Sequence, residues 1–95
     1  MIIKIDLRNL NLIEKTSSEF GNSAHVFVSK KLIGKNVKII IGKFKLNSKK
    51  ELKLDLFKSE ILEREVSSFG TGAHVIIPKE YVNKKINLIF GGRNE

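Results

Sequence analysis

Between residues 30 and 50 stand eight lysines and no acid: Lys30, Lys31, Lys35, Lys38, Lys43, Lys45, Lys49 and Lys50. Ammonium groups at this density attract polyanions, and nucleic acid is the commonest of these because its phosphates accept cations whatever the base. Lys30, Lys31, Lys35, Lys38, Lys43 and Lys45 are the candidate phosphate contacts. The net charge of +8 is lopsided. Residues 1–49 carry ten Lys or Arg against three Asp or Glu, and residues 50–95 carry eight against seven. The competing reading is a solvated surface on a lysine-rich protein, and the concentration of charge in one half favours the polyanion. No recognition helix is visible and arginines are few, so base-specific readout is not expected.

Other side chains offer less chemistry. His25 and His74 hold matching places, but without cysteine, and without an acid at ligand spacing, they make a poor metal site. The expected role of each is to pack on Phe20 or Phe69 and to hydrogen-bond a loop carbonyl. Asn22, Ser23 and Thr71 suit turns, through side-chain bonds to the backbone. Ser23 and His25 lie two residues apart without an acid partner. There is no nucleophile, base and orienter set, no glycine-rich phosphate cradle and no pocketed pair of carboxylates. The residues therefore predict a protein that is not an enzyme and holds no metal.

These residues sit on a chain written twice. Residues 2–42 align with residues 51–91 at a constant offset of 49, without a gap. Phe20-Gly21-Asn22-Ser23-Ala24-His25-Val26 falls on Phe69-Gly70-Thr71-Gly72-Ala73-His74-Val75, and Lys4-Ile5-Asp6-Leu7 on Lys53-Leu54-Asp55-Leu56. A copy of under fifty residues, with no cysteine to staple it, rarely buries enough surface to fold alone. One domain spanning 1–95 is expected, its two repeats sharing a core and joined by residues 43–50.

Each copy reads as strand, strand, turn, strand, short helix, strand. Ile3, Ile5 and Leu7 alternate with polar residues, as do Leu52, Leu54 and Leu56. Residues 12–17 and 61–66 are more polar and suit an exposed edge. Gly21 and Gly70 mark tight reversals needing positive backbone angles. Residues 24–28 and 73–77 resume as buried strands. Short helices follow over 30–33 and 79–82, opened by Ser29 and Pro78 and stopped by Gly34 and Asn83, two residue types that accept the left-handed conformation. Residues 37–41 and 86–90 close each copy, with Val37, Ile39 and Ile41 facing one way and Lys38 the other. About eight strands around one core predict a closed or nearly closed β-barrel.

The phrases Phe20-Gly21-Asn22-Ser23 and Ile77-Pro78-Lys79 resemble the aromatic-Gly-Asn-Ser turn and the Ile-Pro-Lys strand-to-helix junction of the MazE/AbrB swapped-hairpin proteins, which are antitoxins and transition-state regulators. Most similar is a group of small archaeal, transposon-encoded proteins with one copy of a similar phrase. The resemblance covers about thirty residues of each copy. It implies a mainly β, swapped-hairpin AbrB/MazE-like barrel with two short helices, built as an intrachain pseudo-dimer. It also implies double-stranded DNA binding, transcription regulation or mobile-element accessory work, a possible toxin-like protein partner and no cofactor. Relatives carry basic DNA contacts just before the aromatic-Gly pair and inside the following strand. This chain has Ser18, Glu19, Ser67 and Ser68 in the first positions, and Phe27 and Ile76 in the second. Lys15 and Arg64, slightly upstream, are the nearest basic residues and join the candidate set.

The expectation is thus a cytoplasmic DNA-binding protein without a membrane segment, monomeric as a pseudo-dimer or dimerising further. The alternative is an antitoxin-like interaction module in which DNA is secondary.

Overall fold

The computed structural model describes residues 1–91. Among these residues there are eleven strands and two 3₁₀ turns, three strands more than the eight expected: β3, β6 and β9 are additional, and the others keep the expected order. The first copy holds β1 (Ile2–Asp6), β2 (Leu10–Thr16), β3 (Ser18–Phe20), β4 (Ser23–Val28), a 3₁₀ turn over Lys30–Leu32, and β5 (Asn36–Ile41). The joint adds β6 (Lys45–Leu46). The second copy holds β7 (Glu51–Asp55), β8 (Glu60–Glu65), β9 (Ser67–Phe69), β10 (Gly72–Ile77), a 3₁₀ turn over Lys79–Tyr81, and β11 (Lys85–Gly91). The helix stops are of the expected kind: Gly34 has φ +86° and Asn83 φ +61°, the left-handed region that these two residues tolerate. Ser29 accepts a hydrogen bond from the Lys31 amide at 3.2 Å and so caps the first turn.

The strands form three sheets, ordered β1–β7–β6, β3–β4–β10–β9 and β2–β11–β5–β8. Among the described residues, five of the eight ladders join one copy to the other: β1–β7, β4–β10, β2–β11, β5–β11 and β5–β8. At the middle of each sheet are residues 49 apart: Lys4 opposite Lys53, Val26 opposite Val75, and Ile39 opposite Leu88. Within residues 1–49 the only ladder is the β3–β4 hairpin.

Neighbouring side chains along β5 and β11 explain why three sheets are needed. Ile39 and Leu88 belong to the apolar cluster shared with Val26, Val75 and Ile77 of the β4–β10 sheet. The next residues, Ile40 and Ile89, belong to a second cluster, with Leu7, Leu52 and Leu54 of the β1–β7 sheet. Because successive side chains leave a strand on opposite faces, the β2–β11–β5–β8 sheet is apolar on both and must be covered on both. Leu12 and Ile13 divide between the two clusters in the same way, as do Ile61 and Leu62.

The fold is mainly β, as the sequence predicts, but the closed barrel is not found among the described residues. Two causes are visible. A barrel buries a single interior, and here a central sheet needs cover on both sides. The segments read as single edge strands also bend. The chain leaves the central sheet after β2 and enters the outer sheet at β3, turning at buried Ser17; β8 and β9 turn in the same way at buried Val66. Each corner is tied to the other copy. The Ser17 amide donates to the Lys84 carbonyl at 3.0 Å, and the Val66 amide donates to the Lys35 carbonyl at 2.9 Å. The joint is also ordered. The Asn47 side-chain oxygen accepts from the amides of Lys49 at 2.9 Å and Glu51 at 3.0 Å.

Two predictions follow from this architecture. Expressed separately, residues 1–49 and 50–95 should each lack a cooperative thermal transition, and mixing them should restore the strand signal in circular dichroism. Gly42→Ala should cost more stability in urea unfolding than Gly21→Ala. Both glycines have positive φ, but a Cβ at Gly42 would meet Ser59 Oγ at 2.8 Å and Ser59 Cα at 3.1 Å, whereas Gly21 has open space. Gly21→Ala should cost roughly 1–2 kcal/mol from backbone strain alone.

Candidate functional site

The six first-copy lysines lie along β5 and its continuations. Lys30 and Lys31 are exposed on the first 3₁₀ turn, and Lys35 follows Gly34. Lys38 is exposed in mid-strand, on the face of Ile40 and across from Glu63, whose carboxylate is 4.0 Å from its ammonium. Lys43 lies beyond the end of β5, where its carbonyl accepts from Ser59 Oγ at 2.6 Å. Lys45 is exposed in β6. A six-residue strand is ~20 Å long, so Lys35 and Lys43 are at least that far apart along it. The lysines form a band that follows the chain from the first 3₁₀ turn along β5 into β6 of the neighbouring sheet, not a single cluster. Lys15 on β2 and Arg64 on β8 stand on opposite edges of the central sheet, three ladder spacings (~14 Å) across it and about four residues (~13 Å) apart along it. Arg64 donates to the neighbouring Glu63 carbonyl at 2.9 Å.

Register brings in two lysines that sequence reading missed. Lys4 pairs with Lys53 and Lys53 with Lys45, so exposed ammonium groups from β1, β7 and β6 share one row. Like charges directly opposite are destabilising and favour a counter-anion. Nearby carboxylates are engaged elsewhere. Asp6 accepts from the Arg8 guanidinium at 2.7 Å, which holds its carboxyl below the usual range. Asp55 takes the Phe57 amide at 3.0 Å and the N-terminal ammonium at 3.4 Å, and it too is held low. The signal that was available was the repeat itself, because Lys4 and Lys53 are 49 residues apart like the other facing pairs. Among the described residues, three basic side chains lie within 4.0 Å of a carboxylate, Arg8, Lys38 and Lys79. The remaining lysines and Arg64 have no such partner among the described residues.

The outer face of the β3–β4–β10–β9 sheet has the opposite character. Ladder register puts Ser18, Phe20, Ser23, His25 and Phe27 on it from the first copy. The second copy supplies Ser67, Phe69, Gly72, His74 and Ile76. Phe20 stacks on His25 with ring centroids 4.6 Å apart, and Phe69 on His74 at 4.5 Å. The two histidines, 4% and 3% exposed, face each other with Nδ1 to Nδ1 at 2.9 Å. The packing on Phe20 and Phe69 is as predicted, but the expected bond to a loop carbonyl is replaced by a bond between the histidines. Pairing of β4 with β10 about Val26 and Val75 causes this, and a single repeat could not reveal it. One ring must donate from Nδ1 and the other accept, so the pair cannot bind two protons and keep its bond. Among the described residues no group of three or more His, Cys, Asp or Glu could hold a metal ion.

Four of the positions where MazE/AbrB relatives carry basic residues, Ser18, Ser67, Phe27 and Ile76, fall on this face. Glu19 points to the other side and takes the Lys79 ammonium at 2.8 Å. Lys79 also donates to the Gly21 carbonyl at 3.0 Å, fixing the β3–β4 turn to the second 3₁₀ turn.

Residues 45–90 match the model of a family described as "putative transposon-encoded protein" (DUF2080). The match takes in most of the joint and nearly all of the second copy. No curated protein and no solved structure matches the chain. No helix of the described residues is long and apolar enough to cross a membrane.

The histidine pair gives stability a pH dependence. Burial lowers the His74 pKa from its ordinary value, and the neighbouring His25 charge lowers it further. The unfolded chain, with His74 near ~6.5, then binds the proton more readily than the folded one. This contribution is fully present above that value and is lost as pH falls towards the lower folded-state value. Urea midpoints should fall from pH 7 to pH 5, and His74→Gln should flatten the dependence across that window.

Proposed function

We propose that this protein binds double-stranded DNA through phosphate contacts made by the lysine band along β5 and β6, without base-specific readout. The observation that carries the reading is the set of lysines, exposed except for half-buried Lys35, that have no carboxylate partner among the described residues of a chain of net charge +8. Lys30, Lys31, Lys35, Lys43 and Lys45 supply the contacts. Lys38, tied to Glu63, contributes less, and Lys15 and Arg64 flank the band. Lys4 and Lys53 extend it through the row they form with Lys45. Phosphate neutralisation of this kind is insensitive to sequence and positions a protein on a duplex without specifying bases.

On this reading the chain is a small cytoplasmic regulator or mobile-element accessory protein, in keeping with the transposon-encoded description of the family that residues 45–90 match. Its fold is then a swapped-hairpin, AbrB/MazE-like arrangement in which two repeats form one domain as an intrachain pseudo-dimer. The support is the pairing of residues 49 apart in all three sheets. An antitoxin-like module would instead use an uncharged surface for a partner.

Binding to random duplex DNA, followed by gel shift or fluorescence anisotropy, should weaken steeply between 50 and 200 mM salt. Lys35→Gln, Lys38→Gln and Lys43→Gln together should make the slope of log K against log salt shallower by about two to three units, at ~0.9 per phosphate contact. A slope unchanged by the triple variant would remove the band from the interface, and salt-independent retention would remove the DNA reading altogether.

A further inference from the structure

The outer face of the β3–β4–β10–β9 sheet is uncharged across all ten positions that register places on it, in a chain where 29% of residues are charged. It is also apolar and open. Phe27 is 50% exposed, Ile76 40% and Phe69 39%. Beneath them the buried rings of His25 and His74 and the half-buried ring of Phe20 form a packed floor. Exposed apolar side chains gathered on one face, in place of the charges carried elsewhere, mark a surface that meets another macromolecule.

We propose that this face docks a second copy of the same chain, in an isologous dimer centred on Phe27 and Ile76 of both copies. Charge argues first. Each copy carries +8, so two copies meeting through the lysine band would repel, whereas this face opposes no charge with charge. A nucleic acid strand stacked on the aromatics would need cations for its phosphates, and the face presents none. An acidic protein would be drawn to the lysines on the other sheets. Symmetry argues second. Val26 and Val75 pair at the centre, with Phe20 and His25 answered by Phe69 and His74. The face is therefore nearly unchanged by a half turn, and such a patch can meet its own copy. Area sets the strength. Phe27, Phe69 and Ile76 together expose roughly 250 Å² per copy, taking large apolar side chains at about 150–250 Å² each. That is well below the ~800 Å² per partner of a standard stable interface, so the dimer is weak and concentration-dependent.

Sedimentation equilibrium on the intact chain, from about 1 μM to about 1 mM, tests this. The expected result is a reversible monomer–dimer equilibrium. Ile76→Lys, which places a charge on the face of both copies, should raise Kd at least about tenfold. Phe27→Ser should act in the same direction. Phe57→Ser, at a residue 84% exposed in the turn after β7, should leave Kd unchanged. Thermal melts identify any variant that fails to fold, and Phe27→Ser then carries the comparison. The proposal is overturned by a monomer at every concentration, by a dimer indifferent to both face variants, or by one lost only in Phe57→Ser. It is equally overturned by a monomer that binds single-stranded DNA or a different protein through Phe27.

Discussion

Apolar residues on both sides of β5 and β11 are the constraint from which the rest of the structure follows. Ile39 and Ile40 are adjacent, point to opposite faces, and are both fully buried; so are Leu88 and, almost fully, Ile89. Strands of this kind cannot end in an interior with one lining. They need a layer above and a layer below, and each repeat has only enough strand to supply half of each. The first copy contributes β1 to one covering sheet and β3–β4 to the other, and the second contributes β7 and β9–β10. The hydrophobic gain is realised only when both copies are present, because each of the three sheets is held together by ladders that cross between them.

The same interlocking distributes the functional surfaces. Wherever equivalent strands pair, equivalent residues are brought face to face. In the β1–β7 sheet this aligns Lys4 with Lys53, an unfavourable contact that an anion would relieve. In the β4–β10 sheet it brings His25 against His74 and gathers Phe20 and Phe69 around them. One duplicated sequence thus yields a cationic row on one sheet and an uncharged aromatic face on another. Divergence between the copies then sharpens the difference. Lys38 has Asn87 as its counterpart, Glu19 has Ser68, and the acid-free run of lysines in the first copy has no equal in the second.

Local signals were legible where a residue has one physical use. Gly34 and Asn83 marked the ends of the short helices because both accept positive φ. The alternation of Val37, Lys38 and Ile39 gave the facing of β5. The corners at Ser17 and Val66 were not legible, since a buried serine and a buried valine carry no turn signal. What bends the chain there is a set of backbone hydrogen bonds to the loop after the other copy's 3₁₀ turn. The lysine candidates were visible as a run in sequence, but their spread along the full length of β5, and the engagement of Lys38 by Glu63, depended on which strand lay alongside.

The sequence by itself determined the duplication, the strand-rich composition, the placement of turns and helix stops, and the excess of positive charge in the first copy. Each is a property of residue type and spacing along one chain. Only the tertiary structure decided that the sheets stay three instead of closing into one, that lysines from β1, β6 and β7 share a row, and that the two histidines bond each other. These are matters of register between segments 49 residues apart, and register is set by which faces must be buried together, a quantity no single segment contains.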